Sequence, residues 1–171
     1  GLQGNARIGA TVKVSDELVG GFEYGASSGN ANIRKLYGEW NFGAGKFLVG
    51  QTYTPLNWFY SNQVYGGDAD LLPYGGVYSG RQAMLRLTFG GFQIAAISPA
   101  SSDLGTGDDV EVDFPTIEAT YTLKLDNMTF KFGGGYNSFE VTDGSTSVDV
   151  DAYVVAAGAA LNFGAFYLNG N

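Results

Sequence analysis

Along residues 2–17, LQGNARIGATVKVSDE, the even positions are Leu2, Gly4, Ala6, Ile8, Ala10, Val12 and Val14, whereas the odd ones include Gln3, Asn5, Arg7, Thr11 and Lys13. One face is apolar or glycine and the other is polar. Successive side chains of a strand point to opposite faces, so a period-two pattern held this long predicts one strand between two different surroundings. The pattern recurs. After a turn at "SDEL", residues 19–26 form a second predicted strand with Phe22 and Tyr24 opposite Glu23, and a polar loop, "SSGNAN", follows. A third, 33–42, sets Leu36, Gly38, Trp40 and Phe42 against Lys35, Tyr37, Glu39 and Asn41, turns at "GAG" and returns as a fourth over 46–54. A long connection, 55–80, leads to a fifth over 81–89, where Leu85, Leu87 and Phe89 oppose Arg86 and Thr88.

"GG" opens a sixth strand over 92–98, and an acidic loop, 99–114, separates it from a seventh. That strand sets Ile117, Ala119, Tyr121, Leu123 and Leu125 against Thr116, Glu118, Thr120, Thr122 and Lys124. The eighth begins at Met128, with Phe130, Phe132 and Tyr136 opposite Thr129, Lys131 and Asn137; a loop around "TDGSTS" precedes a ninth near 148–162, and a tenth covers 165–169. Tight turns alternate with longer loops, so all long loops emerge at one rim. Strands of about ten residues joined in this way predict an all-β, transmembrane, antiparallel up-and-down β-barrel. Aromatic residues flank the tight turns (Trp40, Phe42 and Phe47; Phe89 and Phe92; Phe163 and Phe166), as an interfacial girdle requires. Tyr24, Tyr53, Trp58 and Tyr136 form a second set toward the loop rim. Alternation alone also fits a soluble barrel or sandwich with its apolar face inward. The weakly charged polar faces, unequal loops and aromatic strand ends favour lipid outside and water inside.

Composition narrows the functions. The chain has 171 residues, 27 of them Gly, with 15% aromatic and 15% charged residues, the last well below the quarter usual in soluble domains. With no Cys and no His, disulfides, thiolate metal sites and most catalytic constellations are excluded, and no cofactor is expected. A net charge of −8 with nine basic residues argues against nucleic acid as a partner. No secretory signal opens the sequence, and its richest apolar run, 154–161, is too short for a membrane helix.

The stretches KLYGEWNFGAGKFLVGQTYTPL and GVYSGRQAMLRLTFGGFQIAAISP resemble Gram-negative outer-membrane porins of the general-diffusion type, in the style of sulfate-reducer relatives. The resemblance lies in strand and turn style and covers most of the chain. It implies a water-filled channel, usually homotrimeric, in the bacterial outer membrane, with lipid around it and small hydrophilic solutes or ions passing through. With tight turns toward the periplasm, both Gly1 and Asn171 fall at the outer rim, where porin termini are not expected. The expectation is therefore an internal segment, one β-barrel domain over 1–171, of a barrel of roughly 16 strands. One strand before Gly1 makes 55–80 the connection that porins fold inward as a constriction loop.

Charge placement supplies the candidate site. On the polar parity stand Arg7, Lys13, Glu23, Lys35, Glu39, Arg86, Glu118, Lys124 and Lys131, the predicted pore-lining set. The loop adds Tyr65, Asp68 and Asp70, with Arg81 directly after it, and further acids crowd 103–113. Cations on a wall facing acids on a loop would set a field across the pore and tune ion selectivity. Each charge singly also suits an ordinary solvated position. Gln51 stands where many porins would carry a basic residue, which argues against strong anion selectivity. The Tyr-, Gly- and Asn-rich loop could equally contact sugars or act as a steric plug. The acidic loop, or Asp149 with Asp151, could hold Ca²⁺, but neither has EF-hand spacing. "GAGK" lacks phosphate-loop spacing and reads as a turn, and the sequon at Asn127 reads as chance. The reading is a passive channel and not an enzyme. Its rivals are a non-conducting outer-membrane scaffold or adhesin and a soluble ligand-binding barrel. The Ala- and Gly-rich residues 150–160 would suit a subunit contact.

Overall fold

The computed structural model describes residues 6–27, 30–58, 76–99, 101, 109–112 and 114–171. They form eleven strands: β1 (Arg7–Lys13), β2 (Leu18–Ser27), β3 (Asn30–Asn41), β4 (Lys46–Tyr53), β5 (Arg81–Phe89), β6 (Phe92–Ile97), β7 (Asp109–Glu111), β8 (Thr116–Lys124), β9 (Met128–Asp143), β10 (Thr146–Asn162) and β11 (Tyr167–Gly170). Apart from β7 every strand pairs antiparallel with its sequence neighbour, so the order is β1-β2-β3-β4-β5-β6-β8-β9-β10-β11, and β7 adds to β9 beyond the end of β8. The architecture is an all-β, up-and-down antiparallel sheet, with β1 and β11 as its edges.

Register decides which face meets which solvent. Arg7, Thr11 and Lys13 share a face with Glu23, Lys35, Glu39, Arg86, Glu118 and Lys131 through the chain of pairs Gly9↔Glu23, Glu23↔Lys35, Glu39↔Leu48, Leu48↔Arg86, Arg86↔Ala95, Ala95↔Glu118 and Thr122↔Lys131. The opposite face carries Ile8, Trp40, Leu85, Phe132 and Val155, exposed by 73, 52, 50, 51 and 83%. A continuous exposed apolar face opposite a charged one does not suit a soluble sandwich, which buries its apolar side. It suits lipid outside and water within. At the tight-turn rim, Phe42 packs on Trp40 and Phe89 with ring centroids 5.5 and 5.9 Å apart.

Three features depart from the alternation pattern. First, β2 runs to Ser27 and β3 starts at Asn30, and β9 and β10 run 16 and 17 residues to meet at Gly144 and Ser145, so the connections expected to be loops at "SSGNAN" and "TDGSTS" are largely strand. Gly144, at φ +61°, supplies the left-handed backbone that so tight a hairpin needs. Second, Asp109 and Glu111 belong to β7 and not to a loop. Third, polarity inverts where β7, β9 and β10 rise together. Val110, Val141 and Val148 share the inward face, whereas Glu111, Glu140 and Asp149 share the outward one. Above the bilayer the outward face meets water, so it carries acids.

Candidate functional site

The inward face holds two carboxylates, each bridged by two cations. Glu23 accepts from Arg34 Nε at 2.7 Å and Lys35 Nζ at 3.1 Å. Glu39 accepts from Lys46 Nζ at 3.0 Å and lies 3.7 Å from an Arg86 guanidinium nitrogen. Lys13 pairs with Asp16 at the exposed turn. Arg7 and Lys124 form no ion pair among the described residues. The wall from β1 to β5 thus sets Arg7, Arg34, Lys35, Lys46 and Arg86 against Glu23 and Glu39. Arg7, Thr11, Glu23, Lys35 and Tyr37 line an open recess of about 310 Å³ along β1–β3.

Arg34 and Lys46 were not among the expected pore residues. Arg34 arrives through a β-bulge: Glu23 pairs with Lys35 and Tyr24 with Ile33, so Arg34 is an extra residue on β3. A bulge turns two successive side chains to one face, and both Arg34 and Lys35 reach Glu23. Gly25 makes room for it, since a Cβ there would lie 2.4 Å from Arg34 Cδ. The signal was present in the sequence. Ile33, Arg34 and Lys35 break the parity that Leu36, Gly38 and Trp40 continue. Gln51 pairs with Leu36, and its amide donates to the carbonyls of Ile33 and Arg34 at 3.1 and 3.4 Å, thereby satisfying the bulge. It supports the bulge where a basic pore residue had been expected.

Both described limbs of the loop between β4 and β5 turn onto the inward face. Asn57 closes the neck: its amide donates to the carbonyls of Thr54 and Gly80, and its oxygen accepts from Gly80 N–H. Across the sheet, Glu118 on β8 takes Leu56 N–H on one oxygen at 2.9 Å and the Ser79 hydroxyl on the other at 2.6 Å. Lys131 on β9 donates to the Pro55 carbonyl at 3.2 Å and sits 5.0 Å over the Trp58 ring. Leu56 and Trp58 are buried, so Trp58 belongs to the loop base and not to an aromatic girdle. Leu48, Met84, Ala95 and Ile97 form a buried apolar cluster on inward positions, with Tyr37 packed against it. Arg81, the first residue of β5, donates to the hydroxyls of Tyr53 and Tyr78. It shares the strand parity of Leu85, not that of Arg86. Tyr65, Asp68 and Asp70 lie outside the described residues, as do Asp103, Asp108 and Asp113. Asp151 accepts from the Tyr136 hydroxyl at 2.6 Å on the outward face. No group of three or more acids placed to hold a metal ion occurs among the described residues.

No family model and no curated protein matches the sequence. Among solved structures the chain is similar to the outer membrane channel DcaP of Acinetobacter baumannii, at 18% identity and a TM-score of 0.70, over 94% of this chain and 48% of that one. The fold is that of an outer-membrane β-barrel. A second likeness is to OmpT, an outer membrane protein of Vibrio cholerae, in a form lacking loop L8, at 20% identity and a TM-score of 0.54 over 92% of this chain and 56% of that one. The chain therefore spans about half the length of the barrels it matches.

Proposed function

We propose that this chain forms part of a bacterial outer-membrane porin, a passive diffusion channel for small hydrophilic solutes and ions that performs no chemistry. The carrying observation is a sheet whose apolar face is exposed outward while its inward face holds bridged charges and an open polar recess. The surplus of cations on β1–β5 favours anions over cations. The remaining strands of a roughly 16-stranded barrel, the kinship with sulfate-reducer porins and a homotrimer belong to the same proposal. Tyr153 and Val155, more than 80% exposed on β10, offer an apolar subunit contact. A monomeric mass in mild detergent would sink the trimer.

The test is conductance of the full-length, detergent-extracted protein in a planar bilayer under a salt gradient. Stepwise ohmic openings with an anion-selective reversal potential are expected. Silent bilayers with well-folded protein would transfer the reading to a plugged scaffold. Within a conducting channel, Arg34→Gln shifts the reversal potential toward cations because Glu23 loses its nearest partner, whereas Arg34→Lys, which keeps the charge beside Glu23, leaves it nearly unchanged. Equal shifts for both variants would remove the bulge from the selectivity argument.

A further inference from the structure

We propose that Glu118 is the positioning residue of the inward loop and that, by seating both limbs of the loop base on β8 and β9, it keeps the inward face there closed to water while that of β1–β3 stays open. The inference rests on the channel reading above. One carboxylate holds both limbs: Leu56 on the outgoing side, 62 residues away, and Ser79 on the returning side, 39 away. With both oxygens occupied and the residue only 3% exposed, Glu118 serves the loop and not passing ions.

The wall is shaped to receive that base. A Cβ on Gly133 would lie 2.9 Å from Leu56 and 3.0 Å from Trp58, and one on Gly135 would lie 3.1 Å from Leu56, so the bare backbone of β9 is the seat. Under and beside the base, Leu48, Ala95, Ile97 and Thr120 are at most 2% exposed although they sit on the inward parity. Water has no route along that sector. On β1–β3 the inward face stays open at the recess beside Arg7, Thr11 and Lys35. Toward the tight turns the inward face carries a second recess of about 580 Å³ lined by Gly91, Gln93, Thr122, Lys124 and Lys131. Within this wall the inward face is therefore closed beside the loop base and open on β1–β3. Glu118 and Lys131 act by holding the loop.

Single cysteines test this in the full-length protein, with any cysteine outside these 171 residues replaced by serine; this chain carries none. In otherwise unaltered protein, a water-soluble methanethiosulfonate reagent labels Thr11→Cys rapidly and reduces the current. It labels Ala95→Cys at least about tenfold more slowly, since the thiol reacts only on local opening. Adding Glu118→Ala raises the Ala95→Cys rate to that of Thr11→Cys and enlarges the conductance step. Adding Glu118→Gln keeps Ala95→Cys protected, because the amide oxygen still accepts from Leu56 and the amide nitrogen donates to Ser79. Equal labelling of Thr11→Cys and Ala95→Cys without the Glu118 change, or protection that persists in Glu118→Ala, overturns the proposal. If Glu118→Ala does not assemble, the contrast between the two cysteines still tests the closure beside the loop base, and Ser79→Ala, which loosens one limb, takes its place. Silent bilayers with the labelling contrast intact would refute conduction and leave the loop's seating standing.

Discussion

Replacing Leu85 by arginine lowers the unfolding free energy of the full-length barrel in lipid vesicles by about 2–4 kcal/mol. Leu85 stands mid-strand on β5, between Val49 and Ala96, on the outward face and half exposed. In lipid, a guanidinium there must deform the bilayer or reach for its surface. The same change at Phe92, beside the tight turn where the aromatic rings cluster, costs about 0–1 kcal/mol because the head groups are near. In water, an exposed leucine-to-arginine change stays within about 0.5 kcal/mol. Reversible denaturant titration in vesicles measures both variants. Small, equal effects at the two depths would return the sheet to the soluble reading.

The second large effect is expected at Gly50, where substitution by alanine costs about 3 kcal/mol or more. Its φ of +126° is one that side-chain-bearing residues avoid, and a Cβ would stand 2.3 Å from the Leu36 carbonyl oxygen and 2.7 Å from Tyr37 Cα. Both obstacles are backbone, so no rotamer change relieves them. β3 and β4 must part, and the loop neck that follows β4 shifts with them. Gly38 is the control. A Cβ there meets nothing within 4 Å, so Gly38→Ala changes stability by less than about 1 kcal/mol. Thermal or denaturant unfolding of the two variants measures the difference, and equal stabilities would remove the steric argument.

The strands were legible because alternation is a local property. In β5 and β8 the apolar and polar positions separate cleanly, and the structure keeps both the strands and their faces. What failed was local in appearance and tertiary in cause. Met84 is the exception in β5, and Leu48 blurs β4, because both pack into a buried apolar cluster with Ala95 and Ile97, and a covered lumen position accepts an apolar residue. Arg34 reads as lipid-facing until the bulge is counted. Glu118 and Lys131 were read on the polar parity of their strands, but their engagement with the loop was invisible, since contacts spanning 62 and 76 residues leave no periodic trace. The strand tips at Asp143 and Ser27 were read as loops because polar residues outside a bilayer look alike whether paired or not.

The polarity inversion on β10 also makes the sheet a ruler. From Phe163, beside the tight turn, to Tyr153, the last outward aromatic before Asp151, the chain rises by ten residue steps. At about 3.3 Å per residue and a tilt near 45°, that is about 23 Å, close to the ~25 Å apolar band of such barrels. A bilayer much thicker than this would draw Asp151 into hydrocarbon and break its contact with water. The chain thus records the thickness of the lipid it was selected to cross, and reconstitution in short-chain lipids should hold it best.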